Sequence, residues 1–467
     1  MPQKVRVRFA PSPTGGLHLG GVRTALFDYL FARQHGGQFV LRIEDTDQNR
    51  FVPGAEQYIV DCLKWCGIEP DEGPHKAGAY GPYRQSERKE SYRKYAEELI
   101  ARGMAYYAFD TPEELEAMRK DMKTPENPSP QYDHRVRNKM RNSLTLPEEE
   151  TRQLLESAPH VVRFLMPSDQ QVQLNDMIRG EVKFSTSLLD DKVLLKADGM
   201  PTYHLAVVVD DHQMEISHVF RGEEWLSSTP LHILLWKAFG WEEQMPRWAH
   251  LPLILKPDGK GKLSKRDGDR LGFPVYAMNW HDPRTGEDST GFREKGFLPE
   301  AFVNMLALLG WNDGTEQEIF SLRELTEKFS LDRVHKAGAK FNYEKALWFN
   351  HEYIRQAPDG KLLPFLRQYA ADHGVTATEE RFVEIIRLVR DRCTLLPDLW
   401  VNSAFFFRHP ETWDTEAVSK KWDQEKKGFF EALVAAFPAI EPFTEASFEE
   451  AFKALAEERG LKSGGLM

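Results

Sequence analysis

The chain has 467 residues, of which 41% are hydrophobic and 28% charged, and a formal net charge of −11. It is too long for a single hydrophobic core, so we expect several domains of ordinary soluble composition. No stretch approaches the ~20 apolar residues of a membrane span, no apolar signal opens the chain, and the three cysteines lack disulfide or CxxC-type metal spacing. These features predict a cytoplasmic protein with no membrane partner. The net charge argues only weakly against nucleic-acid binding, which follows local basic patches.

The first predicted elements are a strand, a turn and a helix. Apolar and basic residues alternate from Lys4 to Phe9, which is the period of a strand. Prolines and glycines between residues 10 and 21 cannot continue either element, so the chain turns there. Apolar residues then recur at helical spacing from Val22 until Gly36-Gly37 ends the helix.

This turn is a candidate phosphate-binding site. Unpaired N–H groups at a helix N-terminus attract an anion, and the helix dipole adds to that attraction. His18 lies at the helix entrance. A surface turn with an ordinary histidine explains the same residues, so the turn alone leaves both interpretations open.

The first half of an α/β domain continues from there. A second strand is predicted over Phe39–Ile43, ending at Glu44-Asp45-Thr46-Asp47, and a helix over Ala55–Cys66. This is the start of a doubly wound nucleotide-binding fold, in which ligands bind at the carboxyl ends of the strands. An insertion over about 82–202 follows, and it begins with a helix from Ser86 to Arg102.

The second half of the domain resumes after the insertion. The nearly continuous apolar run Leu205–Val209 predicts a buried parallel strand. Thr229-Pro230 is typical of an N-cap with proline at the first helical position, and predicts a helix up to Phe239.

A lysine-rich loop comes next, from Lys256 to Gly268. Its four lysines and one arginine could close on a polyphosphate and neutralise charge that develops as a phosphoryl bond breaks. A solvated lysine-rich hairpin is the alternative. Residues 280–293 predict an inserted turn or hairpin without an assigned role, and the rest of the chain is mainly helical.

Two of these segments together resemble the paired signatures of class I aminoacyl-tRNA synthetases. His18-Leu19-Gly20-Gly21 is similar to the first, although Gly21 replaces its final histidine, as often occurs in the glutamyl branch. Lys262-Leu263-Ser264-Lys265-Arg266 is similar to the second. Segments 42–47, 201–206 and 219–225 are similar to glutamyl-family segments in the expected order. The chain is thus identified as a member of the bacterial glutamyl-tRNA synthetase family, with the resemblance thinning beyond about residue 400.

The resemblance implies a fold: an α/β Rossmann-type nucleotide-binding domain with an inserted α+β domain, followed by an all-α C-terminal anticodon-binding region. The implied segments are the first half of the catalytic domain at 1–81, the inserted acceptor-end-binding domain at 82–202, the second half at 203–256, a lysine-loop and stem-contact domain at 257–340, and the α-helical anticodon-binding region at 341–467. Family chains often continue past a segment like 464–467, so a trimmed C-terminus stays open.

The resemblance also implies the reaction, in which the glutamate carboxylate attacks the α-phosphorus of ATP and the amino acid then passes to tRNA(Glu). The implied catalytic residues are His18, Lys262 and Lys265. The implied ATP-binding residues are Ala10, Pro11, Gly15, His18, Gly20 and Lys265. The implied glutamate-binding residues are Arg8, Ser12, Glu44, Tyr203 and Arg221.

The chemistry of glutamate suits these residues. Arginine makes bidentate bonds to carboxylates, so Arg8 and Arg221 can each take one carboxylate, and Glu44 can accept the α-ammonium. By resemblance Arg8 binds the side-chain carboxylate and Arg221 the α-carboxylate, with the exchange left open. Each residue also has a purely structural alternative: a surface strand arginine for Arg8, a solvated strand end for Glu44, and a core aromatic for Tyr203.

The second expected partner is tRNA. Arg135 and Arg137 in the inserted region would hold the acceptor end, although at a period of two they could form one polar strand face. Arg387 and Arg390 would contact anticodon bases, and a solvated helix face is the alternative.

We expect Mg²⁺ to accompany ATP. We expect no structural zinc and no other metal site, because the inserted region lacks the cysteines that some relatives carry there. We expect a monomer.

Two functional alternatives stay open beside discriminating glutamylation. One is an enzyme that also charges tRNA(Gln) with glutamate, and the other is an inactive tRNA-binding paralogue. A glutaminyl enzyme would be expected to carry C-terminal β-barrels, which the helical pattern after Leu362 disfavours. A truncated paralogue that lacks the anticodon domain is disfavoured by the length of chain after Lys340.

Overall fold

The computed structural model describes residues 4–125, 127–409, 415–442 and 444–466. The chain forms two compact units, Met1–Val401 and Asn402–Met467. The strands are β1 (Arg6–Phe9), β2 (Gln38–Leu41), β3 (Ala105–Ala108), β4 (Val161–Phe164), β5 (Gln171–Asp176), β6 (Gly180–Ser185), β7 (Val193–Leu195), β8 (His218–Gly222), β9 (Arg247–Leu251), β10 (Ile254–Leu255), β11 (Trp280–His281), β12 (Asp288–Ser289) and β13 (Ala339–Lys340).

The helices of the first unit are α1 (Leu19–Gln34), α2 (Ala55–Trp65), α3 (Lys89–Ala101), α4 (Pro112–Asp121), α5 (Glu148–Ser157), α6 (Tyr203–Gln213), α7 (Thr229–Ala238), α8 (Lys265–Leu271), α9 (Phe292–Lys295), α10 (Pro299–Leu308), α11 (Leu322–Lys328), α12 (Tyr343–Gln356), α13 (Asp359–Asp372), α14 (Glu379–Val389) and α15 (Asp398–Val401). Those of the second unit are α16 (Thr415–Lys421), α17 (Gln424–Ala436), α18 (Glu445–Glu458) and α19 (Ser463–Leu466). Among the described residues, none of these helices has the length and apolar character to cross a membrane.

A four-stranded parallel sheet in the order β2-β1-β8-β9 is the centre of the first unit. Side chains on the sheet alternate between two cores. Phe220 packs with α1 and α2 on one face, and its neighbour Val219 packs with α6 and α7 on the other. Because all four strands run parallel, their carboxyl ends meet at one edge of the sheet, where such folds bind ligands. The predicted Rossmann-type architecture is confirmed.

The prediction of a strand over Leu205–Val209 is wrong. These residues lie within α6, which is buried from Leu205 to Asp211. A continuous apolar run fits a helix buried on all sides as well as a parallel strand, and periodicity alone does not distinguish the two. The prediction at α7 is off by one residue, because Ser228 is the N-cap and Thr229 is the first helical residue.

The inserted region holds a three-stranded antiparallel sheet in the order β3-β4-β7 and a separate hairpin of β5 and β6. The basic segment of this region is not the polar strand face that its spacing allowed. It is a turn that includes a short 3-10 helix over Arg137–Lys139. Within that turn Arg137 is buried, and its guanidinium donates to Asp191 at 2.9 Å and to the carbonyl oxygen of Met166 at 2.5 Å.

The remainder of the first unit is mainly helical, as predicted, apart from the short parallel pair of β10 and β13 and the hairpin predicted within residues 280–293, which is present. Its strands β11 and β12 pair Trp280 with Ser289 and His281 with Asp288. The second unit has a small core of its own around Phe429, Leu433 and Phe452.

Candidate active site

A cleft of about 1050 Å³ opens at the carboxyl ends of the parallel strands. It is lined by the turn after β1, the segment after β2, the start of α6, the end of β8 and the hairpin after β9. The predicted site residues that line it are Arg8, Ala10, Pro11, Ser12, His18, Gly20, Glu44, Tyr203, Arg221 and Lys262. Residues from distant parts of the sequence therefore converge on one site.

His18 is the N-cap of α1, and its hydrogen bond fixes its tautomer. The Nδ1 atom accepts from the backbone N–H of Gly20 at 3.2 Å, so the proton of the neutral ring is on Nε2. That Nε2 atom has no hydrogen-bond partner among the described residues. Burial, and then the charge of Lys262, lower the pKa of His18 to about 4. At neutral pH His18 is therefore an uncharged donor with a free N–H group.

The lysine-rich segment forms a hairpin beside this turn. The backbone N–H of Leu263 donates to the carbonyl oxygen of Ile254 at 2.9 Å, which closes the hairpin. Ser264 and Asp267 form a capping box, and α8 begins at Lys265. The loop therefore begins in a hairpin and ends in helix α8.

The two signature lysines have acidic partners and lie in adjoining spaces. Lys262 lines the cleft and forms an ion pair with Glu224. Lys265 donates to Glu287 of the β11–β12 hairpin at 2.7 Å, and this bond raises its pKa. It lies, with Gly15, in a hollow of about 230 Å³ that shares lining residues with the cleft. Both lysines are therefore available for exchange onto an anionic ligand.

Arg8 is buried and is oriented by a single ion pair. Its Nε atom donates to Oδ1 of Asp211 at 3.0 Å, and the same oxygen accepts from Arg42 at 2.7 Å. Among the described residues, none accepts a hydrogen bond from the two terminal nitrogens of Arg8. Burial tends to raise the pKa of Asp211, but Arg8 and Arg42 together lower it, so the carboxylate stays charged.

Glu44 is a buried carboxyl group that is bound on one side only. Its Oε1 atom accepts from the fully buried Arg42 at 3.0 Å, and its backbone N–H donates to the carbonyl oxygen of Pro11 at 3.0 Å. Burial raises the pKa of Glu44, against the opposing charges of Arg42 and Arg8. An ammonium group in the cleft would favour the charged form of this carboxyl group.

Arg221 is a buried guanidinium group whose hydrogen-bond partners are all uncharged. It donates to the Tyr203 hydroxyl oxygen at 3.0 Å, to Thr229 Oγ1 at 2.7 Å, to His250 Nε2 at 3.0 Å and to His232 Nδ1 at 3.2 Å. Within the described chain no carboxylate lies in ion-pair range of it. Its charge is therefore uncompensated at the cleft, which favours an anionic ligand.

The residues expected to contact tRNA lie away from this cleft. Arg135 is exposed and paired with Asp133 through two hydrogen bonds, whereas Arg137 points into the interior. Arg387 is exposed and donates to Asp359 at 2.8 Å. Arg390 is mostly buried, and it binds the same carboxylate and the carbonyl oxygen of Ala357. Of these four side chains, Arg135 and Arg387 are the ones on the surface.

Several residues that organise the cleft were not identified from the sequence. They hold Arg8, Glu44 or Arg221 in place, directly or through one another, and of them Arg42 alone lies in a segment that resembles the family: Arg42, Asp176, Asp211, Thr229, His232 and His250. Within the described chain, no group of three or more His, Cys, Asp or Glu side chains has the arrangement of a metal site.

Comparison with known proteins agrees with the fold and the site. The family described as "tRNA synthetases class I (E and Q), catalytic domain" matches residues 4–348, and an "Anticodon binding domain" family matches residues 360–467. The fold and the cleft are thus those of a class I tRNA synthetase of the glutamate and glutamine branch, followed by a helical anticodon-binding domain.

Comparison with individual relatives distinguishes between the glutamate and glutamine members of this branch. Glutamate–tRNA ligases of Amoebophilus asiaticus and Bacteroides fragilis are each 53% identical over all of this chain, which covers 91% and 92% of their lengths. A crystal structure of a glutamate tRNA ligase from Elizabethkingia meningosepticum, in complex with its amino acid, matches with a TM-score of 0.94 and 50% identity, over 99% of this chain and 92% of that one. The chain belongs to the glutamate–tRNA ligase family.

Proposed function

We propose that this chain activates L-glutamate with ATP, releases pyrophosphate, and transfers glutamate to the 3′-terminal adenosine of tRNA(Glu). The observation that carries the proposal is the uncompensated charge of Arg221, which faces the same cleft as the free nitrogens of Arg8 and the N–H group of His18. Two guanidinium groups, one carboxyl group and a phosphate-binding turn match a dicarboxylic amino acid beside a nucleotide.

Glutamate binding is assigned to both arginines and three further residues. Arg8 would bind the side-chain carboxylate through its terminal nitrogens, and Arg221 the α-carboxylate. Tyr203 accepts from Arg221, which leaves its own O–H proton to donate to the same carboxylate. Glu44 would accept the α-ammonium, with help from Ser12, which lines the same cleft. A glutamine side chain would leave the terminal nitrogens of Arg8 without a carboxylate to bind, which disfavours glutamine.

ATP is assigned to the turn around His18 and to the lysine hairpin. Ala10, Pro11, Gly15 and Gly20 form the wall against which the nucleotide would lie. The free N–H of His18 would donate to a phosphate oxygen from one side. Lys262 and Lys265 would exchange their carboxylate partners for phosphate oxygens on the other.

The chemical step needs no enzyme nucleophile. The enzyme aligns the glutamate carboxylate with the α-phosphorus and stabilises the negative charge that develops on the phosphoryl oxygens. We propose that Mg²⁺ enters with ATP and supplies charge neutralisation on its phosphates. We also propose that the protein holds no structural zinc, works as a monomer and is cytoplasmic.

For tRNA, we propose the division of labour expected from the sequence. Residues 82–202 would hold the acceptor end, with Arg135 on their surface, 257–340 would contact the stem, and 341–467 would bind the anticodon, with Arg387 exposed on α14. The buried side chains of Arg137 and Arg390 form hydrogen bonds within the protein and stabilise its fold. Their contribution to tRNA binding would therefore be indirect.

The test is aminoacylation with glutamate on tRNA(Glu) and tRNA(Gln) in parallel, with glutamine as the control amino acid. Charging of tRNA(Glu) alone supports the proposal. Charging of both tRNAs would make the enzyme non-discriminating. Failure to charge either, with Mg²⁺ and ATP present, would leave an inactive tRNA-binding paralogue.

A further inference from the structure

We propose that His250, held by Asp176, is a positioning residue that orients the Arg221 guanidinium toward glutamate without neutralising its charge. The inference rests on the proposed function, in which Arg221 binds a carboxylate of the amino acid. Neither His250 nor Asp176 lines the cleft, and neither belongs to the signature segments.

The three side chains form a buried chain of hydrogen bonds. Nε of Arg221 donates to Nε2 of His250 at 3.0 Å, and Nδ1 of His250 lies 2.6 Å from Oδ2 of Asp176. The side chains of His250 and Asp176 are both fully inaccessible to solvent. Arg221 is on β8 and His250 on the adjacent β9, so the sheet fixes their separation.

The proton positions in this series of hydrogen bonds follow from which partner can donate and which can accept. Arginine can only donate, so Nε2 of His250 must be the acceptor and the ring proton must be on Nδ1. That proton is donated to the Asp176 carboxylate. Burial lowers the pKa of His250, the hydrogen bond to Asp176 opposes this, and the charge of Arg221 lowers it further, so the net shift is downward and favours the neutral ring. Asp176 thereby selects the one tautomer that Arg221 can use.

Asp176 is itself held rigidly. Its Oδ1 accepts from the backbone N–H groups of Ile178 and Arg179 at 3.0 and 2.9 Å, and its Oδ2 also accepts from the N–H of His250 at 3.1 Å. Burial tends to raise the pKa of Asp176, but the hydrogen bond from the His250 side chain and those from the backbone of Arg179 and Ile178 together lower it. A fully satisfied buried network of this kind fixes geometry, because any rotation leaves a polar group unpaired.

The identity of the acceptor explains why an imidazole is used. A carboxylate at the position of His250 would orient Arg221 equally well. It would also neutralise the positive charge of Arg221, which has to attract the carboxylate of the ligand. The imidazole accepts the Nε hydrogen and carries no charge. Tyr203, Thr229 and His232 complete a set of neutral acceptors around the guanidinium. The negative charge of the network is one residue further away, on Asp176.

The experiment compares two substitutions, each of which can replace the hydrogen bond made by one of the two imidazole nitrogens. His250→Asn retains a donor at the Nδ1 position, for Asp176, and has no group at the Nε2 position. His250→Gln can place an acceptor for Arg221 at the Nε2 position, and it loses the hydrogen bond to Asp176. KM for glutamate, KM for ATP and kcat are measured by pyrophosphate exchange with tRNA(Glu) present.

The expected result is a split between the variants. His250→Asn raises KM for glutamate tenfold or more and leaves KM for ATP within twofold, whereas His250→Gln stays within about threefold of the parent on both. Equal effects of the two variants, or effects on both KM values alike, would overturn the proposal. If the unsubstituted enzyme fails to charge tRNA(Glu), it is the proposed function that fails.

A measurement on the unsubstituted protein covers the case in which the variants do not fold. With ¹⁵N-labelled histidine, one buried imidazole should show an Nδ1–H tautomer with a strongly downfield proton, and this resonance should shift when glutamate is added. The proposal is contradicted if the spectrum lacks such a signal, or if the signal does not shift when glutamate is added.

Discussion

Oδ1 of Asp211 accepts hydrogen bonds from both Arg8 and Arg42, at 3.0 and 2.7 Å. Arg42 in turn donates to Glu44 at 3.0 Å, so the carboxylate that orients Arg8 also sits next to the one proposed for the α-ammonium. The same buried hydrogen-bond network therefore sets the distance between Arg8 and Glu44, the two charged groups that we propose bind glutamate. Asp211 comes from α6, the element that periodicity alone did not distinguish from a strand.

Asp211→Asn is expected to weaken both folding and glutamate binding. The amide cannot neutralise two buried guanidinium groups, and breaking a buried pair costs about 3–5 kcal/mol. Because Arg42 keeps Glu44 as a partner, we expect about 3 kcal/mol, measured as the loss in the free energy of unfolding in urea. Gln57→Ala, on the exposed face of α2, is the control. Unchanged stability in Asp211→Asn would contradict the role of this carboxylate.

Arg221→Lys is expected to raise KM for glutamate by about 10- to 100-fold, because an ammonium group cannot reproduce the planar fork that binds a carboxylate. KM for ATP should stay within twofold. The measurement is pyrophosphate exchange with tRNA(Glu), titrated with each substrate. Arg179→Lys, which lies nearby and pairs with Glu223, is the matched control. If KM for ATP rises as much as KM for glutamate, Arg221 is not specific to the amino acid.

The parts of the site that were predicted from sequence lie in contiguous segments. The turn at His18 and the loop at Lys262 are each defined by a few adjacent residues, and the two segments together resemble a known pair of signatures, although neither alone distinguishes phosphate binding from an ordinary surface turn. The residues that were missed act across elements. Asp176 and His250 are 74 positions apart in sequence, and only the packing of β5 against β9 brings them together.

The errors in the fold have similar causes. The apolar residues of α6 are buried on every side, so the helical period disappears from the sequence. Arg137 was expected to hold the acceptor end of tRNA or to lie on a polar strand face. In the folded chain Asp191 compensates its charge, and this partner lies 54 residues away.

His18→Asn and His18→Gln are expected to separate capping from catalysis. Asparagine keeps an acceptor for the N–H of Gly20, so stability should change by no more than about 0.5 kcal/mol. It lacks the donor at Nε2, and we expect kcat to fall about 10²- to 10³-fold. Glutamine can keep that donor and should retain more activity while losing the cap. Thermal unfolding and kcat are measured on both, and a fully active His18→Asn would exclude the proposed phosphate contact.

Acid is expected to destabilise the fold through His218. Burial first, then the charge of Arg247, lower the pKa of His218 to about 4. In the unfolded chain a histidine titrates near 6.5, so below that pH the unfolded state binds more protons and stability falls until the pH passes about 4. Linkage gives about 1.8 kcal/mol for this shift between pH 7 and 5, and solvent screening of the partly exposed ring reduces it, so His218→Gln should lose about 1 kcal/mol less than the parent over this range, measured by urea unfolding. A pH dependence in His218→Gln equal to that of the parent would contradict this role of His218.

Gly16→Ala is expected to disturb the contact between the signature turn and the β11–β12 hairpin. A Cβ atom there would lie 2.7 Å from Cγ of Trp280 and 3.0 Å from the Tyr276 ring, so the hairpin must shift. Overpacking of this kind costs about 1–3 kcal/mol. Because the hairpin carries Glu287, the partner of Lys265, KM for ATP should change as well.

Gly360→Ala is the control for this substitution. Its Cβ would meet nothing within 4 Å, and it lies in α13, where alanine is the better helix former. We expect Gly360→Ala to match or exceed the parent in thermal stability and to leave KM for ATP unchanged. If Gly16→Ala behaves in the same way, the hairpin does not constrain the nucleotide-binding turn, and the ion pair between Glu287 and Lys265 is a surface contact without effect on ATP.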